Sequence, residues 1–241
     1  MKSEVTMVSK RQIKSKANQV KVYLEVGKNR TFAAAIDWAG WCRSGRDFDS
    51  ALQSLVDYAP RYARVLKTTQ LAFHVPSDVS ELVVVERLTG NMTTNFGAPN
   101  LALSSDNRPV DPTELGRFET ILKACWRAFD KSVTAATGHS LRTGPRGGGR
   151  DVAQVVEHVR DVDAAYLSRL GGKWKPRHEA TPRETLADER KIILATLASS
   201  VRGEIPAHGP RGGAHWMPRY FVRRLAWHDL DHAWEIQDRV E

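Results

Sequence analysis

The sequence predicts an α+β protein with two domains, a small β-β-α-β unit followed by an up-down-up-down four-helix bundle. Up to about residue 90, apolar residues alternate with a period of two, which is typical of half-buried strands. From residue 113 onward they recur with a period near 3.6, which is typical of amphipathic helices. Between the two patterns, residues 91–112 are rich in Asn, Thr, Ser, Pro and Gly, and this composition predicts a linker.

The N-terminal domain is predicted over residues 20–90, after a basic tail over residues 1–19. Strands are predicted where β-branched and aromatic residues are frequent, over residues 20–26, 31–38, 71–75 and 81–88. Residues 40–45 are predicted to form a loop. A helix is predicted from Phe48, with Asp47 or Asp49 as its N-cap, because the apolar residues that follow have a helical period.

The C-terminal domain is predicted over residues 113–241. Four amphipathic helices of roughly 20 residues are predicted there, and each has a single apolar stripe. A bundle buries all four stripes at once, which is why we expect this arrangement. The predicted start signals of the four helices are Thr113, Asp151, Pro182 and Pro218.

Charge and composition narrow the classes of function. The net charge is +8, but residues 1–21 contain six basic side chains and one acid, so most of the excess lies in the tail. We therefore expect a solvated tail, and nucleic-acid contact only through it. No apolar run approaches the roughly 20 residues of a membrane span, and the first ten residues lack a signal-peptide core. The sequence predicts a soluble, cytoplasmic protein, and its two cysteines exclude a disulfide scaffold.

Three histidines form a candidate metal site. His228 and His232 are one helical turn apart on the fourth predicted helix, so both imidazoles project from one face. His158 lies at a comparable depth on the second predicted helix, which runs parallel to the fourth in an up-down-up-down bundle. Three neutral imidazoles leave coordination positions open, as in reactive metal sites. The alternative is that all three are core histidines with ordinary hydrogen bonds.

Acidic residues near these histidines are candidates for catalysis or for orienting the ligands. Glu235 lies on the same helix face as His228 and His232 and is the first choice for a general base. Asp231 adjoins His232, and Glu157 precedes His158. The alternative for each acid is a solvated helix surface.

A five-residue motif, Gly-Pro-Arg-Gly-Gly, occurs at residues 144–148 and again at 209–213. Each copy precedes a helix that contains candidate metal ligands. Glycine-rich backbone at a helix N-terminus favours anions, and an arginine adds a fork for carboxylate or phosphate. We therefore expect Arg146 and Arg211 to gate an anionic substrate over the metal, if the two helices run parallel. The alternative is a pair of flexible connectors.

Residues 113–241, with His158 on the second helix and His228-x3-His232 on the fourth, resemble the DinB-like metal-binding four-helix-bundle superfamily. The resemblance implies that the three histidines hold a divalent metal, zinc foremost and nickel as the alternative. It also implies a thiol-dependent S-transferase, for which the Arg-rich composition suggests mycothiol, or else a metal-dependent hydrolase. The fourth helix is richer in acid and Trp than is usual in that family, which leaves the small-molecule substrate open.

Residues Tyr23 to Cys42, followed by the helix from Phe48, resemble the small module of HicB-like antitoxins. The resemblance covers about 65 residues and includes no catalytic motif. It suggests the alternative function, a non-enzymatic regulatory or antitoxin-like binding protein that uses the helical bundle as a scaffold. The oligomeric state is open in both cases, and a homodimer is one arrangement that the sequence allows.

Overall fold

A four-stranded mixed sheet is formed in the first half of the chain. The computed structural model describes residues 19–143, 149–175 and 182–241, so the basic tail up to residue 18 lies outside the described residues. The strand order is β3-β2-β1-β4. Strand β1 is antiparallel to β2 and parallel to β4, and β2 is antiparallel to β3. The strands are β1 (Val20–Val26), β2 (Thr31–Ala35), β3 (Cys42–Gly45) and β4 (Leu82–Thr89).

The predicted α+β class is confirmed, but two predicted segments of the N-terminal unit are wrong. Residues 42–45, predicted as a loop, form the edge strand β3, which is short and polar and therefore shows no alternation. Residues 71–75, predicted as a strand, form no ladder with any described strand. Phe73 instead packs edge-on against Trp38, Trp41 and Tyr62, so its apolar character reflects an aromatic cluster.

Helix α1 (Phe48–Leu66) covers one face of the sheet. Of the two predicted N-cap candidates, Asp47 and not Asp49 caps its start, because the Asp47 side chain accepts a hydrogen bond from Ser50 N at 2.9 Å. Two polar contacts join the helix to the turn between β2 and β3. Trp41 Nε1 donates to Leu55 O at 2.9 Å, and Tyr62 Oη donates to Ala39 O at 2.8 Å.

The segment predicted as a linker, residues 91–112, is packed against the rest of the protein. It contains the short helix α2 (Met92–Phe96) and a 3₁₀ turn over Ser104–Asn107. The buried carboxylate of Glu25 on β1 accepts hydrogen bonds from this segment, including the backbone N–H of Asn100 at 3.0 Å. Asp106 forms a buried ion pair with Arg223 of the last helix.

The four helices predicted after residue 112 are present. They are α3 (Pro112–Ala135), α4 (Val152–Leu170), α5 (Pro182–Val201) and α6 (Pro218–Arg239). Asp151 caps α4 as predicted, whereas α3 is capped by Asp111 and not by Thr113. None of the described helices has the length and apolar content needed to cross a bilayer.

The predicted up-down-up-down order is wrong, because α4 and α6 are antiparallel. Arg224 near the start of α6 contacts Tyr166 near the end of α4, and Arg239 at the end of α6 contacts the carbonyl of Arg150 just before α4. Helix α3 runs parallel to α6, as the Glu114–Arg219 and Ser132–Gln237 contacts at their two ends show. The connections over residues 171–181 and 202–217 are long enough to run along a helix, so the sequence does not force neighbouring helices to alternate.

Helix α6 lies at the centre of the protein. One hydrophobic core joins its Phe221, Leu230 and Trp234 to residues of β1, α1 and α3. Gly40 permits a close approach, because a Cβ atom there would lie 2.9 Å from Leu230 Cδ1 and its φ is +92°. Every residue from Tyr220 to Asp229 is buried, so α6 connects the sheet to the helices around the candidate site.

Candidate metal centre

The three predicted histidines come together between α4 and α6. One ring nitrogen from each of His158, His228 and His232 lies within 4.8 Å of the others. Nε2 of His228 is 3.4 Å from Nε2 of His158. The ring of His232 has its centroid 4.9 Å from that of His158 and 4.6 Å from that of His228.

Local helix geometry explains why these residues meet. His228 and His232 are four residues apart on α6, so their side chains lie one turn apart on one face. His158 is on the first half of α4, beside the buried Val155 and Val159. The sequence predicts that His158 lies at the depth of His228 on a helix parallel to α6. In the structure the two helices are antiparallel, and His158 meets His228 because the first half of α4 lies beside the second half of α6.

Two of the imidazoles, those of His158 and His228, are in an environment that favours their neutral form. Burial lowers the pKa of His228 well below its usual value, and the neighbouring His232 and His158 lower it further. Burial and His232 also lower the pKa of His158. A neutral imidazole keeps a nitrogen lone pair, which metal coordination requires.

Glu235 orients His232. Its Oε2 accepts a hydrogen bond from Nδ1 of His232 at 2.7 Å, and its Oε1 accepts one from Arg239 Nη1 at 2.5 Å. The bond from His232 and the charge of Arg239 lower the pKa of Glu235 to about 2. With Nδ1 engaged, Nε2 of His232 is the nitrogen left for a metal, which is the arrangement common among metal-bound histidines.

The other predicted acids are placed differently. Asp231 lines the same cleft as the histidines and forms an ion pair of 3.1 Å with Arg43 of β3. The guanidinium of Arg43 also stacks over the Tyr58 ring at 4.0 Å, so the pair is held in place. Glu157 is on the outer surface of α4, where it lies 3.8 Å from Arg160.

The prediction that Arg211 lies over the metal site and binds an anionic substrate there is wrong. Residues 209–213 precede α6 and lie beside Gly171 at the far end of α4, where His215 packs against that glycine. Because α4 and α6 are antiparallel, this is the end opposite to the chain that leads into α4. Arg211 is exposed and does not line the cleft, and Arg146 lies outside the described residues.

The three histidines line an open cleft of about 810 Å³. The rest of its lining comes from several parts of the chain, including residues that sequence reasoning missed, namely Arg43, Gly97, Ala98, Arg150 and Tyr166. Only Tyr166 had a usable signal, since it lies eight residues after His158 on the same helix face. Trp227 packs on Phe32 and Trp234 packs on Tyr58, and both also line the cleft.

The donor set fits a borderline divalent metal. Zinc binds imidazole nitrogen at about 2.0–2.1 Å, so two nitrogens of a tetrahedral site are about 3.3 Å apart. The 3.4 Å separation between His228 and His158 agrees with that value. Three nitrogen ligands facing a cleft leave room for a further ligand from solvent or substrate.

Comparison of the chain with protein-family models, with curated proteins and with solved structures found no match. The DinB-like and HicB-like resemblances therefore stay predictions.

Proposed function

We propose that this protein is a divalent-metal-dependent enzyme of the DinB-like type, with its metal held by His158, His228 and His232 in a four-helix bundle. The observation that supports the proposal most is the convergence of three imidazoles from two helices at the wall of a large cleft. A structural histidine cluster has no need of such a cleft, whereas a reactive metal site requires one.

Zinc is the metal that we propose first, with nickel as the alternative. When bound, such an ion lowers the pKa of a coordinated thiol or water and supplies a nucleophile at neutral pH. The cleft volume is in the range of small-molecule sites, about 300–1,000 Å³, so the cleft is large enough for a low-molecular-weight thiol such as mycothiol. We therefore place thiol S-transfer first and hydrolysis second.

The chain's own residues divide the remaining tasks. Glu235 accepts two hydrogen bonds and has a low pKa, so it is a weak base, and we assign it to orienting His232. Asp231 lines the cleft with 42% of its side chain exposed, so its carboxylate can reach a bound ligand and accept a proton. The Tyr166 hydroxyl accepts a hydrogen bond from Arg224 at 2.5 Å, which fixes the phenol ring beside His228.

A binding protein is the second candidate function. It is supported by large apolar side chains that are exposed beside the edge strand β4, since Met92 and Phe96 are each 71% exposed and Val85 is 50% exposed. A partner protein that covers this edge would bury them. The two candidates differ in one variant, because His228→Ala abolishes the activity of an enzyme and leaves partner binding unchanged.

Metal content tests the main proposal. We would measure it by inductively coupled plasma mass spectrometry on the wild type and on a His158→Ala/His228→Ala/His232→Ala variant. A matched control replaces three exposed histidines away from the cleft, His74, His139 and His208. We expect zinc or nickel in the wild type and the control, and its loss from the site variant. A wild type that stays metal-free after reconstitution, or a site variant with unchanged content, would refute the proposal.

A further inference from the structure

A cluster of buried carboxyl groups lies on the inner side of His228. It consists of Asp163 on α4, Glu189 on α5 and Asp229 on α6, which are 1%, 0% and 0% exposed. The three helices thus each place one acid in the interior of the helical half of the protein. These residues do not line the cleft.

The described residues supply no free cation to balance these acids. Arg190 of α5 is near, but Asp130 binds its guanidinium with two hydrogen bonds of 2.7 and 2.8 Å. Within the described part of the chain, both carboxylate oxygens of Asp229 and of Glu189, and Oδ1 of Asp163, are buried and accept no hydrogen bond of good geometry; Asp163 and Trp126 are the polar side chains beside Asp229. An unpaired buried charge costs several kcal/mol, so the cluster needs protons or a bound cation.

His228 offers a further donor to the same place. Its Nε2 is directed at His158, and its Nδ1 is buried with no hydrogen-bond partner among the described residues. His228 is only 6% exposed. A ring nitrogen of His228 lies within 4.8 Å of carboxylate oxygens of Asp163 and Asp229. Since Nε2 is directed at His158, we assign Nδ1, which has no partner among the described residues, to the two aspartates.

We propose that Asp163, Asp229 and Nδ1 of His228 hold a second divalent cation inside the protein, with Glu189 as a nearby buried negative charge. Two carboxylates and one imidazole form a mixed oxygen and nitrogen donor set, which suits Mn²⁺ or Zn²⁺. The cation balances the buried negative charge and fixes the His228 ring from its inner side. The inference rests on the proposed function only in that His228 is shared. When both sites are filled His228 is a bridging ligand, and its ring proton passes to solvent.

The test counts metal ions in the full chain. Metal-free protein is incubated with Mn²⁺ or Zn²⁺, freed of excess metal by gel filtration, and analysed for metal per chain. We expect two ions in the wild type, one in Asp163→Asn/Asp229→Asn, and one in His158→Ala/His232→Ala. The matched control is Asp161→Asn on the outer surface of α4, where the acid side chain is 68% exposed, and it keeps two ions.

Each other outcome decides between the two sites. If Asp163→Asn/Asp229→Asn binds as many ions as the wild type, the cluster holds only protons and the inference is wrong. If that variant loses an ion while His158→Ala/His232→Ala loses none, the inner site stands and the three-histidine proposal fails. If circular dichroism shows that the double aspartate variant does not fold, the metal content of the wild type decides. A wild type that binds one ion, together with a His158→Ala/His232→Ala variant that binds none, would overturn the inner site.

Discussion

Replacing Glu189 by Gln tests how the buried acids affect stability. Glu189 is fully buried on α5, and burial raises its pKa from 4.5 to about 7, despite the opposing charges of Arg160 and Arg190. The neighbouring Asp229 raises this pKa as well. Glutamine has nearly the same shape and no charge at any pH, so the variant removes the charge and the titration of this site and keeps its volume.

The sign of the effect follows from which state loses its proton first. Below pH 4.5 the carboxyl group is protonated in both states and stability does not depend on it. Between pH 4.5 and about 7 the unfolded chain releases the proton while the folded protein keeps it, so the free energy of unfolding falls as pH rises. Each unit of pKa difference corresponds to 1.36 kcal/mol, so the loss approaches about 3 kcal/mol by pH 8.

Urea unfolding of metal-free protein, followed by far-ultraviolet circular dichroism at pH 5, 6, 7 and 8, measures this loss. We expect the stability of Glu189→Gln relative to the wild type to increase by about 2–3 kcal/mol between pH 5 and pH 8. Glu157→Gln, at an exposed position on α4, should follow the wild-type profile. Parallel pH profiles for Glu189→Gln and the wild type would show that Glu189 titrates normally and refute the reasoning.

Three further predictions concern the site and the core. Glu235→Ala removes the acceptor at His232 Nδ1 and should weaken metal binding about 10–100-fold in a competition titration with a chromogenic chelator, whereas Asp238→Ala, at an exposed acid, should not. Asp106→Ala leaves Arg223 buried without its anion and should lower the free energy of unfolding, measured with urea, by about 3–5 kcal/mol. The control Asp231→Ala removes a half-exposed ion pair and should lower it by less than about 1 kcal/mol. Burial raises the pKa of the Cys42 and Cys125 thiols, so iodoacetamide at pH 8 should label them, as counted by intact mass, only after unfolding in urea.

The sequence was most informative where one element determines the outcome. The positions of the four long helices follow from the spacing of apolar residues, and the pairing of His228 with His232 follows from a single helical turn. Asp151 was identified as a cap, and the cap of α1 was narrowed to Asp47 or Asp49, because a cap depends only on the next three residues.

Features that depend on distant parts of the chain could not be predicted. The direction of α4 relative to α6 depends on how long connections run, and their composition does not specify a path. The contact of Arg43 with Asp231 joins residues that are 188 positions apart, and nothing local marks either as a partner. Nothing in the sequence marks Asp163, Glu189 and Asp229 as buried, because charge alone does not distinguish a buried acid on a helix from one on its solvent-exposed face.

The burial of α6 on almost every side has a consequence for how the protein can change over time. A helix that contributes both to the core and to the metal ligands tolerates few substitutions, so most changes between Tyr220 and Ala233 will lower the yield of folded protein before they alter chemistry. New substrate preferences are more accessible through Arg43, Ala98 and Arg150, which line the cleft from other segments. Adaptation of the cleft can thus proceed while the central helix stays the same.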